Sequence, residues 1–146
     1  MKLDCIHTKI LELLQSNARI SNTHIATKVG ISSPAVAERI KKMEDSAVIL
    51  GYRAKVSPMR LGHGIRALIT VRAFMGRLQP FLHKIKTYSE VVNCYRITGN
   101  DNIVMEVVFI DQQHLEKFID ELITYGETKT QIILSDIVSD QPLKHA

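Results

Sequence analysis

The chain has 146 residues, of which 45% are hydrophobic and 23% charged, and its formal net charge is +4. This is enough apolar sequence for a packed core, but no apolar run reaches the length of a membrane span and the first residues lack a secretion signal. The composition therefore excludes a membrane protein and leads us to expect a cytoplasmic one. The charge is uneven: residues 1–64 carry a balance of +5 and residues 65–146 carry −1. A basic first half favours attraction to phosphates there.

The first predicted helix follows Asp4. Apolar residues recur at helical spacing as Ile6, Ile10, Leu13 and Leu14, and Asp4 is a suitable N-cap for them. A helix that packs beside a helix-turn-helix, as the third member of a three-helix DNA-binding domain, requires such a stripe.

Residues 21–45 predict a helix-turn-helix. A short helix over about Asn22–Val29 is followed by Gly30, which adopts the left-handed backbone of a helix end at little cost. Ser32 is a good N-cap for a second helix, and Pro34 in its first turn removes a donor that has no partner there.

The second helix has the character of a DNA-recognition helix, because small residues form its tip and basic residues flank it. The candidate DNA contacts are Ser32, Ser33, Pro34, Ala35, Glu38, Arg39 and Lys42. The serine hydroxyls can bond to base edges or phosphates, while Arg39 and Lys42 are placed for phosphates. Glu38 either accepts from a cytosine amine or pairs with Lys42 four residues on, and the spacing favours the pair. The alternative is a solvated amphipathic helix in an unrelated helical bundle.

The segment after this helix predicts a strand and then a domain boundary. Residues alternate in character from Tyr52 to Val56, and Pro58 and the glycines at 62 and 64 follow. We therefore expect a helix-turn-helix domain with a trailing strand at 1–56, a hinge at 57–64 and a second domain at 65–146.

The second domain has the element order strand, helix, strand, strand, helix, strand. Strands are predicted over Arg66–Phe74, Val91–Thr98, Ile103–Ile110 and Thr128–Val138, with helices around Leu78–Ile85 and Leu115–Ile123, the latter ended by Gly126. This order is the split βαβ, ferredoxin-like arrangement, so the fold class is α+β with both helices on one face of an antiparallel sheet.

The other sheet face is predicted to be partly apolar. The first strand places Leu68 and Phe74 opposite its core residues, and the last strand carries isoleucine or leucine on both sides, at 132, 133, 134 and 137. A solvated face would be polar. We therefore expect a second copy of the chain to cover it, forming a homodimer; scattered surface apolar residues are the alternative.

The chain resembles the Lrp/AsnC (feast/famine) family of transcriptional regulators along nearly its whole length. Ser46–Val56 followed by Leu61-Gly62 is similar to the family's Gly-Val-Ile-x-Gly-Tyr-x-Ala pattern, Ile31–Glu44 to its recognition helix, and Asp4 with Asn17-Ala18-Arg19 to its opening. The resemblance implies an N-terminal domain that binds duplex DNA and a C-terminal ferredoxin-like domain that binds a small-molecule effector, often an amino acid. It also implies dimers that assemble into octamers.

The sequence departs from the family at the turn between the second and third strands of the C-terminal domain. Family members often carry Gly-x-Tyr/Phe-Asp there, and this chain has Gly99, Asn100, Asp101 and Asn102. We take these four residues as the candidate effector contacts. A carboxylate holds a ligand's amino group more strongly than an amide does, so the effector is either an amino acid, another small molecule, or absent.

Other functions have less support in the sequence. It shows no phosphate-binding glycine loop and no nucleophile motif, its two cysteines lie far apart, and its six histidines form no His-x-x-x-His pair. We therefore expect no catalytic residues, no metal and no cofactor. Two non-enzymatic alternatives stay open: a DNA-organising protein of low sequence preference, and an effector-sensing assembly module that does not bind DNA.

Overall fold

The computed structural model describes residues 1–144, which form two compact units. One contains Met1–Ala54 and the chain from Val138 onward, and the other contains Lys55–Ile137. The predicted second domain ends with His145 and Ala146, which lie outside the described residues. Within residues 1–144, no helix combines the length and hydropathy that a membrane crossing requires.

Helix α1, Cys5–Ser16, begins at the predicted cap. One carboxylate oxygen of Asp4 accepts hydrogen bonds from the backbone N–H groups of Ile6 and His7, at 2.9 and 2.8 Å. These bonds satisfy two of the donors that a helix start leaves without partners. The prediction of an Asp4 N-cap is confirmed.

Helices α2, Asn22–Val29, and α3, Ser33–Asp45, form the predicted helix-turn-helix. Gly30 ends α2 in the left-handed region with φ +75°, and its N–H donates to Ala26 O at 2.9 Å. Ser32 caps α3 by accepting from the backbone N–H of Ala35 at 3.3 Å. The turn chemistry predicted from the sequence is therefore confirmed.

The three helices pack around one small core. Ile10, Ile25, Val36 and Met43 have no exposed surface, and at least one of them comes from each helix. The core residues fix α3 against α1 and α2, so the opposite side of α3 faces outward.

The segment after α3 differs from the prediction. Residues 52–56 form no strand. A strand requires a partner for its backbone hydrogen bonds, and the sheet pairings of the described residues do not include this segment. A short 3-10 turn, Met59–Leu61, lies within the predicted hinge.

The second unit is a four-stranded antiparallel sheet with two helices. Its elements are β1 Ile65–Ala73, α4 Leu78–Ile85, β2 Val91–Arg96, β3 Ile103–Phe109, α5 Gln112–Leu122 and β4 Gly126–Ile132. The strand order is β2-β3-β1-β4, with all neighbours antiparallel. This confirms the ferredoxin-like prediction.

The core of this unit lies between the sheet and the two helices. Alternate residues of β1 and β3 are fully buried, as are Phe81 of α4 and Leu122 of α5. This is the alternation expected for strands with one covered face.

Gly126 does not end a helix as the sequence suggested. Helix α5 ends at Leu122, and Gly126 is the first residue of β4, opposite Ala73. A Cβ at this position would lie 2.3 Å from the carbonyl oxygen of Arg72. The glycine is therefore required by the close approach of β4 to β1.

The last strand is shorter than predicted. It was expected over Thr128–Val138 and ends at Ile132. Ala67 of β1 pairs with Ile132, and β1 begins at Ile65. Residues beyond Ile132 therefore soon have no part of β1 to pair with. Residues 133–138 follow the strand, and the predicted alternation at 134 and 137 does not apply.

The sheet face opposite the helices is partly apolar and partly charged. Leu68 and Phe74 are 38% and 48% exposed, as predicted. The same face also carries Arg66, whose guanidinium bonds to Glu106 at 3.0 Å and to Asp136 at 2.6 Å. The uncovered face is therefore less apolar than the sequence suggested.

Candidate nucleic-acid interface and effector turn

The tip of α3 presents small residues to solvent. Ser32 and Pro34 are exposed, and Ser33 and Ala35 are half-buried. The hydroxyl oxygen of Ser32 accepts the capping hydrogen bond, so its O–H remains able to donate. The small residues of the tip thus allow another surface to approach closely, and the serine hydroxyls can then bond to that surface.

The outward face of α3 continues from this tip with Ala37 and with Lys41, a basic flanking residue that is not among the predicted DNA contacts. Ala37 and Lys41 follow Pro34 at spacings of three and four, and both are exposed. The ammonium of Lys41 has no hydrogen-bond or ion-pair partner among the described residues. Helical spacing counted from Pro34 would have identified both positions.

Glu38 and Lys42 form the predicted intrahelical pair. Their charged atoms are 2.7 Å apart, and both side chains are mostly exposed. The hydrogen bond from Lys42 lowers the pKa of Glu38 below its ordinary value of 4.5. Because an exposed pair of this kind contributes little stability, Lys42 can exchange Glu38 for a phosphate.

Arg39 lies on the side of α3 that contacts α1. Its guanidinium is 2.7 Å from a carboxylate oxygen of Asp4 and 2.9 Å from Nδ1 of His7. His7 is buried, and its Nδ1 also accepts from the backbone N–H of Asp4 at 3.3 Å. Arg39 therefore joins the middle of α3 to the start of α1.

This arrangement stabilises the ionised form of Asp4. The backbone N–H of His7 and then the guanidinium of Arg39 hold the pKa of Asp4 well below its ordinary value of 3.8. Asp4 is thus both the N-cap of α1 and the partner of Arg39. Its cap role could be predicted locally, but its pairing with a residue 35 positions away could not.

The candidate effector turn is held by two of its own residues. Gly99 has φ +107° and Asn100 is exposed. The side-chain oxygen of Asn102 accepts from the backbone N–H of Ala73 at 2.7 Å, and the backbone N–H of Asn102 donates to the carbonyl oxygen of Val71 at 2.9 Å. Asn102 thus ties the start of β3 to the end of β1.

Asp101 has a partner on β4. Its carboxylate lies 3.6 Å from the ammonium of Lys129. A ligand's amino group that bound Asp101 would therefore have to replace or accompany Lys129. Among the described residues, no group of three or more metal-binding side chains comes together.

Both units match family models. The AsnC-type helix-turn-helix domain matches residues 3–44, and the Lrp/AsnC ligand binding domain matches residues 66–143. The HTH-type transcriptional regulator Ptr1 of Methanocaldococcus jannaschii is 33% identical over 121 residues, which are 83% of this chain and 82% of that protein.

Solved structures share the fold. LrpC of Bacillus subtilis superposes with a TM-score of 0.90 at 28% identity, covering 95% of this chain and 99% of that one. A transcriptional regulator of Neisseria meningitidis, solved as a complex with L-methionine, has a TM-score of 0.91 at 24% identity, with 97% and 96% coverage. The similarity therefore extends over both units.

Proposed function

Since this chain belongs to the Lrp/AsnC family of ligand-modulated transcriptional regulators, we propose that it binds specific DNA sequences through α3. The observation that carries the proposal is the outward face of α3, with its small tip and its unpaired Lys41. The family consists of regulators rather than enzymes. A regulator of this kind acts on DNA in the cytoplasm.

The tip and the flank of α3 have different tasks in this proposal. Ser32, Ser33, Pro34 and Ala35 enter the major groove, where the hydroxyls reach base edges or phosphates. Lys41 and Lys42 contact phosphates, which adds affinity without sequence preference. Arg39 acts from the other side of the helix, by holding α3 against Asp4.

The protein acts as a homodimer in this proposal, and its dimers assemble further into octamers. A second copy covers the sheet face that carries Leu68 and Phe74, both partly exposed in the single chain. Two copies related by a two-fold axis hold two α3 helices at a fixed separation. They then read half-sites about 34 Å apart, or a multiple of that distance.

The effector is a small molecule, and we propose an amino acid that contacts the turn 99–102. The ligand-binding family model supports this assignment, as does a regulator of the same fold solved with L-methionine. An amino group would bind Asp101 in competition with Lys129. The effector shifts the assembly equilibrium only if it binds one assembly state more tightly than another. Its effect on DNA binding is limited by that difference in affinity.

The test is a DNA titration across a salt series. The duplex upstream of this protein's own gene is compared with a random duplex of equal length, with and without a pooled set of amino acids. We expect tighter binding to the upstream duplex, a steep salt dependence, and an amino-acid effect that is lost in Asp101→Asn. Equal binding to both duplexes would indicate a DNA-organising protein, and no binding at low salt would indicate a protein-contact module.

A matched pair of lysine variants tests the role of α3. Lys41→Gln should weaken binding to both duplexes and reduce the slope of log affinity against log salt by about 0.9. Lys117→Gln, an exposed lysine on α5 of the other unit, serves as the control. If both variants gave the same slope as the wild type, Lys41 would not contact a phosphate.

A further inference from the structure

A groove lies between α4 and the edge strand β2, away from the turn 99–102. Gln79, Leu82, His83 and Lys86 follow one another at spacings of three, one and three along α4 and its C-cap, so they share one side of that helix. Together with β2 they enclose a cavity of about 380 Å³. This volume is within the range of small-molecule sites, roughly 300–1,000 Å³.

The strand side of the groove is set by the sheet register. Cys94 pairs with Met105 and Arg96 with Ile103, and both partners are fully buried under the helices. Residues directly opposite on paired strands point to the same face. Cys94 and Arg96 therefore face α4, and because β2 is an edge strand the groove is open on one side.

The inner surface of the groove is apolar. Leu82 is half-buried and Ile85 is 6% exposed, and both line the cavity beside Cys94. Burial raises the pKa of the Cys94 thiol, so at neutral pH it is an uncharged part of this surface. The depth of the groove thus suits a short hydrocarbon group.

The rim of the groove carries two unpaired cations. Lys86 and Arg96 line it together with the imidazole of His83, and no carboxylate of the described residues does. Within residues 1–144 none of these three side chains has a hydrogen-bond or ion-pair partner. By contrast, Arg66 and Arg72 of the same unit both bond to carboxylates.

We propose that this groove binds a small aliphatic carboxylate that lacks an ammonium group. The carboxylate bonds to Arg96 and Lys86 in charge-assisted hydrogen bonds, with Gln79 and His83 as further polar neighbours, and the hydrocarbon lies on Leu82 and Ile85. An α-amino group would lie among like charges without an acceptor carboxylate. The groove therefore selects against amino acids, whereas the turn 99–102 carries an acid, Asp101.

The experiment compares three molecules that share one carbon skeleton, using the full-length protein without DNA. These probes are 4-methylpentanoate, its uncharged amide 4-methylpentanamide, and L-leucine, which adds the ammonium group. Isothermal titration calorimetry should show that 4-methylpentanoate binds at least tenfold more tightly than either of the others, with all three probes titrated into Asp101→Asn so that the proposed amino-acid contact in the turn 99–102 is removed. Equal binding of the amide would overturn the role of the cations, and equal binding of L-leucine to this variant would overturn the selection against ammonium.

Variants locate the binding to the groove. Arg96→Gln and Lys86→Gln should each weaken binding of 4-methylpentanoate about tenfold, and Lys117→Gln on α5 should leave it unchanged. Both positions are exposed and lie on different elements, so neither substitution should unfold the protein. Circular dichroism checks the fold of each variant, and one folded variant is enough for the test. A folded variant that binds as tightly as the wild type would overturn the proposal. DNA affinity is not part of this readout, so failure here is distinct from failure of the proposed regulatory function.

Discussion

At the residue scale, the bond between Arg39 and Asp4 joins two helices that the chain separates by 35 positions. Arginine on a predicted recognition helix suggests a phosphate contact, and a phosphate contact implies a salt-dependent contribution to binding. The structure instead gives this guanidinium a carboxylate and an imidazole within 3 Å. We therefore propose that Arg39 sets the position of α3 on α1.

Substitution of either partner tests this role. We expect Arg39→Ala and Asp4→Asn to weaken DNA binding by similar factors on all sequences, because both loosen α3, and to leave the salt slope unchanged. Fluorescence anisotropy across a salt series measures both quantities. If Arg39→Ala flattened the slope and Asp4→Asn had no effect, Arg39 would be a phosphate contact as the sequence first suggested.

The same pair predicts a pH dependence of stability. The folded-state pKa of Asp4 lies below its ordinary value of 3.8, so its contribution is present above that pH and is lost as the pH falls through and below it. Asp4→Asn keeps a good N-cap without the titrating charge. In urea unfolding followed by circular dichroism, the wild type should be the more stable protein at neutral pH, with the difference shrinking below pH 3.8. A difference that stayed constant down to about pH 3 would contradict the assignment.

At the element scale, the pairing of β4 with β1 depends on a glycine. A Cβ on Gly126 would lie 2.8 Å from Ala73 Cα as well as 2.3 Å from Arg72 O, and both atoms are backbone. Gly126→Ala should therefore force the strands apart and lower the free energy of unfolding by about 1–3 kcal/mol. Thr128→Ala, two residues along the same strand, is the control, since it should cost less than about 1 kcal/mol. Equal losses in the two variants, measured by urea unfolding, would show that the contact can relax.

Elements with local signals were predictable from the sequence, and those set by long-range pairing were not. Asp4, Ser32 and Gly30 act on their own neighbours, so the helix starts and the turn between α2 and α3 could be predicted. The end of β4 depends on the register with β1, which no local pattern contains. Gly126 was misjudged for the same reason.

The candidate site divides in the same way. The tip of α3 and the Glu38–Lys42 pair follow from helical spacing, and the structure contains the pair. The partners of Arg39 and Asn102 lie in other elements, so their structural roles could not be predicted. The α4–β2 groove likewise required the sheet order, because Arg96 faces α4 only through its register with Ile103.

At the scale of the whole molecule, the chain passes between its two units more than once. It enters the second unit at Lys55 and returns to the first at Val138. There the side-chain amide of Gln15 bonds to both the N–H and the carbonyl of Leu143, at 2.7 and 2.9 Å. The DNA-binding unit is thus completed by residues that follow the effector-binding unit in sequence, so the two units are not simply consecutive in the chain.

The proposed homodimer would hold two DNA-binding units as a pair, and we propose that the sheet face opposite the helices is the surface that joins the two copies. Leu68 lies opposite Glu106 on that face, so a single chain can accommodate the charge that Leu68→Lys introduces. In a two-fold interface, the same charge would lie near the identical charge of the second copy. We expect the wild type to sediment as a dimer or a multiple of it at micromolar concentration and Leu68→Lys to sediment as smaller species. Ile123→Lys, beyond the end of α5 and 50% exposed, should leave the assembly unchanged.

The loss of assembly should also be visible on DNA. A single chain carries one α3, so Leu68→Lys should bind one half-site as before but lose the extra affinity of two half-sites about one helical turn apart. Titration of duplexes with one and two half-sites measures this difference directly. A wild-type protein that sedimented as a monomer, or a Leu68→Lys variant that kept both its mass and its preference for paired half-sites, would show that the sheet face does not join two copies.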